Sequence, residues 1–399
     1  MTDPVRPAPG AVLTGHTDRI RSLVFTADGR RLVSASSDGA HGQESADYSN
    51  STIRLWPVAG AQRTAAIDVV PSGVQGTPAF SPNSTMLAAG FPTTIWGIGR
   101  PRSDAQLGRI PTFNQGGQAV AFSPDGRWIV SGDPLVRWDV QDPREPRTLD
   151  SGIIRTNGSS SVTYGPDGRT VATTDLFSPV RLWRPDGIGP NPTTTLPGST
   201  SGNQGVSYAS DGASLATLTD GGQAAVWDVS DPDAPVRQSL LGNADDRVDS
   251  VAFGSGVDLL VTGTASGTLT VWDVSDRMRP HTISSVRRHA GAVGGLAAQP
   301  DGDLLASAGA DGHVLLWSLH DPDQPLELTT FVVDGPQFSP VLAFSPNGAM
   351  LAASIERQVI VWDTDVPGIL QRICARTARI DDAEWARYLP GSDFDPPCA

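Results

Sequence analysis

The sequence predicts an all-β protein built from eight copies of one short antiparallel unit. Tryptophan recurs every 40 to 45 residues between positions 56 and 362. The apolar runs between these tryptophans are short, and the 43 Gly and 33 Pro of the chain lie mostly between the runs. Short apolar runs separated by Gly and Pro favour strands joined by tight turns. A fixed period of this length indicates a repeat architecture. The tryptophans that mark the repeat are Trp56, Trp96, Trp138, Trp183, Trp227, Trp272, Trp317 and Trp362.

The clearest copy of the unit spans residues 289–317. Two apolar runs, 293–298 and 303–308, flank a Gln-Pro-Asp-Gly tetrapeptide that predicts a tight turn. A third run, 314–317, follows a second turn at Asp311 and Gly312. Three short strands with two reversals predict an antiparallel meander.

This copy resembles a WD repeat of the β-propeller family in four residues: His289, Ser307, Asp311 and Trp317. In that family the four side chains form a hydrogen-bonded chain, which implies a structural role for them here. The repeat length also matches, so the resemblance implies an all-β, eight-bladed WD-repeat β-propeller. Each blade is predicted to bury one apolar residue at the same place in its second strand. These residues are Leu32, Leu87, Ile129, Val171, Leu215, Leu260, Leu305 and Leu351.

The first blade keeps the same chain of four and adds an insertion. Its matching residues are His16, Ser34, Asp38 and Trp56. Twelve extra residues, 40–51, separate its second and third strands. By family geometry this loop lies on the top face, and insertions in repeat proteins collect on the binding face. The loop therefore supplies candidate partner contacts, although an insertion that is merely tolerated is the alternative. The candidates are His41, Glu44, Asp47 and Tyr48.

Four further residues are candidate partner contacts on the top face. Arg19 and Arg247 occupy equivalent positions, each six residues before a phenylalanine. His313 follows the second turn of the seventh blade. Phe177 lies in an apolar turn of the fourth blade, where packing between blades is the alternative because Phe is usually buried.

The ends of the chain predict two segments. Residues 2–7 look like the Asp-Pro linkers of later repeats, so the chain starts in mid-repeat. We expect residues 11–15 to pair with the strand that ends at Trp362 and to close a propeller domain over residues 1–366. A module cut from a longer protein is the alternative.

Residues 367–399 depart from the repeat and predict a helical cap packed on the propeller. Ile369, Leu370, Ile373 and Cys374 have helical spacing, and a capping-box pattern follows near Trp385. The segment ICARTAR…EWARYLPG…C resembles the C-terminal signature of actinobacterial WD-repeat proteins. Cys374 and Cys398 either form a disulfide or remain reduced, and the sequence leaves both open.

Composition limits the class of partner and the location. The net charge is −14, and all 29 basic residues are arginine, which indicates a GC-rich bacterial source. An acidic chain argues against nucleic acid as the main ligand, and it suits a basic protein partner or simply solubility. The sequence contains no apolar run that predicts a secretion signal or a membrane span, so we expect a cytoplasmic protein without a membrane partner.

The sequence predicts a non-catalytic scaffold or sensor module that binds a protein or peptide on its top face. The six histidines are dispersed, and no phosphate loop, nucleophile elbow or zinc spacing occurs, so we expect no cofactor and no metal. The alternative is a propeller enzyme, similar to a hydrolase or lactonase, with its site at the central channel. The step from fold to function rests on the family resemblance.

Overall fold

The computed structural model describes most of the repeat region. The described residues are 11–17, 20–36, 52–58, 68–71, 79–83, 85–89, 93–97, 106–110, 120–131, 136–148, 161–175, 178–185, 192–200, 206–254, 256, 258–300, 302–332, 342–345, 348, 350–355 and 358–364. Several predictions fall outside them: the helical cap, the insertion at 40–51 and both cysteines.

The described strands form eight antiparallel sheets, so the predicted eight-bladed all-β propeller is confirmed. The strands are two to seven residues long, the second strands are buried almost throughout, and Pro, Asp and Gly lie in the turns between strands. In blades 1 to 4 the strands are Ile20–Phe25 (β2), Arg31–Ser36 (β3), Thr52–Pro57 (β4), Asp68–Pro71 (β5), Ala79–Phe80 (β6), Met86–Ala89 (β7), Thr94–Gly97 (β8), Gln106–Arg109 (β9), Val120–Phe122 (β10), Trp128–Ser131 (β11), Val136–Asp139 (β12), Arg147–Thr148 (β13), Ser161–Tyr164 (β14), Val171–Asp175 (β15), Ser178–Trp183 (β16) and Thr194–Thr195 (β17).

Blades 5 to 8 repeat this plan. Their strands are Ser199–Thr200 (β18), Val206–Tyr208 (β19), Ser214–Thr219 (β20), Ala224–Asp228 (β21), Val236–Leu241 (β22), Val248–Phe253 (β23), Leu259–Thr264 (β24), Thr268–Asp273 (β25), His281–Arg287 (β26), Val293–Ala298 (β27), Leu304–Gly309 (β28), His313–Ser318 (β29), Leu326–Val332 (β30), Leu342–Phe344 (β31), Met350–Ile355 (β32) and Gln358–Asp363 (β33). In blade 5 both β18 and β19 pair with β20.

The eighth sheet takes its outer strand from the start of the chain. Ala11–Thr14 (β1) pairs antiparallel with β33, and Ala11 lies opposite Val361. The sheet order is β1-β33-β32-β31. Neighbouring sheets contact one another around the whole ring, including the first and the eighth. The ring is therefore closed, and β1 completes the eighth sheet as its outer strand.

The core consists of eight apolar clusters, and each cluster spans two neighbouring blades. The cluster around Leu13 joins blade 8 to blade 1, and the cluster around Leu215 joins blade 4 to blade 5. The eight apolar residues predicted in the second strands are all buried, with at most 2% of any of them exposed. A blade cannot cover its own apolar faces, so burial depends on the closed ring.

Candidate functional site

The hydrogen bonds of the loops define two faces of the ring. The residue after the third strand donates its N–H to the turn between the first and second strands, as in Val58 to Arg30 (3.0 Å) and Leu319 to Asp303 (2.7 Å). These turns therefore share one face, which we call the bottom face. The turn between the second and third strands bonds instead to the loop before the first strand, as in Ala310 to Ala292 (2.8 Å). This opposite side is the top face.

Blade 7 contains a hydrogen-bonded chain of four side chains below its top face. The Trp317 indole Nε1 donates to Ser307 Oγ (2.9 Å), and Ser307 Oγ lies 2.8 Å from His289 Nε2. His289 Nδ1 lies 3.1 Å from Asp311 Oδ1. The ionised Asp311 carboxylate can only accept, so the ring proton lies on Nδ1, and Nε2 of the neutral ring accepts the Ser307 hydroxyl proton. The chain thus connects the third strand to the top-face loop.

The surroundings of these four side chains shift the pKa of both titratable groups, His289 and Asp311. Burial lowers the pKa of His289, more than the nearby Asp311 carboxylate raises it. Burial also opposes ionisation of Asp311, yet the backbone N–H groups of Ala290 and His313 hold the pKa of this carboxyl below its ordinary value. A neutral His289 and an ionised Asp311 match a structural connection.

Blade 1 contains a similar chain with a different end. Trp56 Nε1 donates to Ser34 Oγ (2.8 Å), which lies 2.7 Å from His16 Nε2. His16 Nδ1 lies 3.1 Å from Thr52 Oγ1. The fourth predicted member, Asp38, lies outside the described residues.

Blades 4, 5 and 6 lack the histidine but keep the bond from the indole to a hydroxyl. Trp183, Trp227 and Trp272 each donate to a threonine ten residues earlier, at 2.9 to 3.0 Å. The sequence reasoning missed these threonines. The signal was available, because each one lies two residues after the buried apolar residue of the second strand.

Blade 6 has its own substitute for the histidine. Asp246, in the loop before β23, accepts bonds from Thr264 Oγ1 (2.7 Å), Ser266 Oγ (2.6 Å) and Ser266 N (3.0 Å). Burial opposes its ionisation, but the two hydroxyls and the backbone N–H leave its pKa below the ordinary value. The carboxylate therefore fastens the top-face turn of blade 6 to the loop before the first strand.

Two of the predicted partner contacts lie in the described residues, and both are at the top face. Arg247 is exposed, and its Nε lies 2.6 Å from Asp249 Oδ1. His313 is partly exposed, and its Nδ1 lies 3.4 Å from Asp311 Oδ2. They lie in different blades. The remaining candidates, Arg19, His41, Glu44, Asp47, Tyr48 and Phe177, lie outside the described residues.

Trp128 in blade 3 is partly buried between two arginines. The guanidinium carbons of Arg127 and Arg137 lie 4.8 and 4.3 Å from its ring centroid. Arg127 also donates to Asp139 Oδ2 (3.0 Å). These contacts give Trp128 a packing role within its blade.

A cavity of about 370 Å³ opens at the bottom face among the first four blades. Its walls come from the ends of β2, β6, β10 and β14 and from the turns that follow them. Ser81, Thr163 and Tyr164 supply its polar side chains, and the described wall contains no His, Asp or Glu.

Among the described residues, no three His, Cys, Asp or Glu side chains lie close enough together to hold a metal ion. No helix among these residues has the length and apolar character needed to cross a membrane.

Comparisons with known proteins agree with the repeat and the fold. The family model "WD domain, G-beta repeat" matches residues 8–40, 116–139, 235–273 and 281–318. The crystal structure of Sqt1 from Chaetomium thermophilum has a TM-score of 0.69 and 16% identity, over 90% of this chain and 99% of that chain. Sqt1 of the same organism bound to the N-terminus of the ribosomal protein L10 has a TM-score of 0.68 and 16% identity, over 90% and 100%. No curated protein matches the chain. Four segments of the chain therefore match the WD40 repeat, and the described strands form an eight-bladed β-propeller.

Proposed function

We propose that this chain is a non-catalytic bacterial scaffold whose top face binds a peptide segment of a partner protein. The similar fold of Sqt1, in a structure that includes the N-terminus of a ribosomal protein, supports a peptide ligand. The lysine-free composition supports a bacterial source.

The observation that carries the proposal is the way the top-face loops of blades 5 to 7 are held. Asp246 and Asp311 each accept hydrogen bonds from a neighbouring loop or turn. Asn243 Oδ1 accepts the N–H of Asp246 at 2.9 Å. These bonds hold the loops in place before a partner arrives, which lowers the entropic cost of binding.

The same loops present charged side chains to solvent. Asp220, Asp245 and Arg247 are exposed, and His313 is partly exposed. On a chain of net charge −14, exposed carboxylates favour a partner segment with a positive net charge. A basic peptide is therefore the ligand class that we propose.

Matched substitutions on the two faces test this site. Full-length protein and its variants are used to capture partners from a bacterial lysate, and recovery is quantified by mass spectrometry. Asp220→Asn and Asp245→Asn remove exposed carboxylates from the top face, and deletion of residues 40–51 removes the insertion of blade 1. Asp276→Asn and Asp323→Asn remove the same residue type from exposed bottom-face loops. Each captured partner is then tested as purified protein.

We expect the top-face variants to lower partner recovery several-fold, because side chains at the centre of an interface dominate binding. The bottom-face variants should recover wild-type amounts. Equal recovery by all variants, or loss confined to the bottom-face variants, would reject the top-face site.

A further inference from the structure

The cavity on the bottom face has the chemistry of a site for apolar side chains. Phe25, Phe80 and Phe122 form its inner wall. Pro82, Pro124 and Pro166 form its rim, and all three are exposed. An apolar cavity with an exposed proline rim favours insertion of aliphatic side chains from a covering segment.

The chain leaves its last described strand on this same face. Thr364 is buried, and its Oγ1 donates to the carbonyl oxygen of Gly348 at 2.8 Å. Gly348 lies in the turn between the first and second strands of blade 8, which belongs to the bottom face. Blade 8 contacts blade 1 through β2, β31 and β32. Residues 365–399 therefore start one blade away from the cavity.

The sequence that follows Thr364 matches the cavity in polarity. Ile369, Ile373 and Ile380 are spaced so that a helix would place them on one side. Between positions 366 and 380 the segment carries three arginines and no acidic residue, on a chain of net charge −14. In the turns around the cavity the exposed carboxylates of Asp28 and Asp125 each lie beside an exposed arginine, so the match to the cavity rests on the apolar side of the segment. The segment thus offers an apolar side and a basic side.

We propose that residues 366–380 dock on the bottom face as an amphipathic helix and insert isoleucine side chains into this cavity. Covalent attachment one blade away gives the segment a high effective concentration at the site. A segment docked on the bottom face leaves the top face free for a partner. The inference is independent of the proposed function.

Crosslinking within the full chain tests the position of the segment. Cys374 is retained as the probe and Cys398 is changed by Cys398→Ser. A second cysteine is introduced by one of three matched exposed changes: Ala27→Cys at the cavity, Ala234→Cys in an outer bottom-face linker, or Ala244→Cys on the top face. A short bismaleimide is added, and the products are separated by mass.

We expect the Ala27→Cys variant to give an intramolecular crosslink at a yield several-fold above both other variants. Equal yields at the three positions would overturn the proposal. A dimeric product would also overturn it, since it would show that a second copy of the chain covers the cavity.

Dye binding tests the role of the isoleucines without a crosslinker. Ile369→Ser combined with Ile373→Ser should release the segment and raise the fluorescence of added anilinonaphthalene sulfonate several-fold, because the apolar cavity becomes accessible. Gln371→Ser is the matched control and should leave the fluorescence unchanged. Partner recovery through the top face is measured on the same variants and should remain at the wild-type level. Fluorescence that stays at the wild-type level in the isoleucine variant would reject the docked segment.

Discussion

The smallest feature that several blades share is one hydrogen bond, from a tryptophan indole to a hydroxyl. It occurs in blades 1, 4, 5, 6 and 7, although only blades 1 and 7 extend it to a histidine. A buried indole N–H without an acceptor costs roughly 1 to 3 kcal/mol. Blade 2 has Ala89 at the hydroxyl position, and the buried Trp96 Nε1 has no acceptor among the described residues. The indole-to-hydroxyl bond is therefore the shared element, and the histidine of blades 1 and 7 adds a second hydrogen bond to the hydroxyl.

The buried histidine of blade 7 makes stability depend on pH. Burial holds the pKa of His289 below 6.5, so the unfolded chain takes up a proton at a higher pH than the folded chain does. Stability is then fully present above about pH 6.5 and is lost as the pH falls through the lower pKa of the folded state. We expect the denaturation midpoint of the wild type to fall more than that of His289→Gln between about pH 7 and pH 5.

Comparing the wild type with His289→Gln isolates the titration of His289, because glutamine keeps a polar side chain that does not titrate. Gln324→Asn, an exposed change that involves no titratable group, is the control and should follow the wild type. Parallel curves for the wild type and His289→Gln would contradict a lowered pKa for His289.

Sequence reasoning reached some of these residues and missed others. The four residues of blade 7 could be identified because their types and spacings match a known repeat. The threonines of blades 4 to 6 have an equally regular spacing that the search for histidine overlooked. Asp246 could not be predicted, because it lies in a loop and reaches Thr264 and Ser266, which are beyond the usual hydroxyl position.

At the scale of the element, the bottom-face turns of blades 4 and 5 contact one another. Gly212 has φ +70° in the turn of blade 5, and a Cβ added there would lie 2.7 Å from Asp167 Cγ in the turn of blade 4. Gly198 has φ +69° with no atom within 4 Å of such a Cβ. The two glycines share a backbone conformation and differ in their surroundings.

Substitutions at Gly198 and Gly212 separate the free-energy cost of a positive φ from the cost of the contact with Asp167. An L-residue in the left-handed region costs roughly 1 to 2 kcal/mol, so Gly198→Ala should lower the free energy of unfolding by about that amount. Gly212→Ala should lower it further, because the Asp167 side chain must move. Chemical denaturation measures both. Equal losses would show that the turns move apart without cost.

For the whole molecule, the strands could be predicted from the sequence, whereas the cavity could not. The period of Trp and the turn residues predict the number of blades, because each repeat carries the same local signals. The bottom-face cavity could not be predicted, since its walls combine β2, β6, β10 and β14 from four separate blades. No single repeat contains the information for it.

Closure of the ring is the property on which the whole molecule depends, and β1 provides a direct test. Leu13 is fully buried with Val361 of blade 8 and Trp56 of blade 1, whereas its neighbour Val12 is 36% exposed. Leu13→Ala should lower the free energy of unfolding by about 2 to 5 kcal/mol, through lost burial and a cavity at the seam. Val12→Ala, on the same strand and with the same backbone pairing, should change it by about 0.5 kcal/mol or less. Chemical denaturation followed by tryptophan fluorescence measures both, because Trp56 lies at the seam. Equal small changes would mean that β1 contributes nothing to closing the ring.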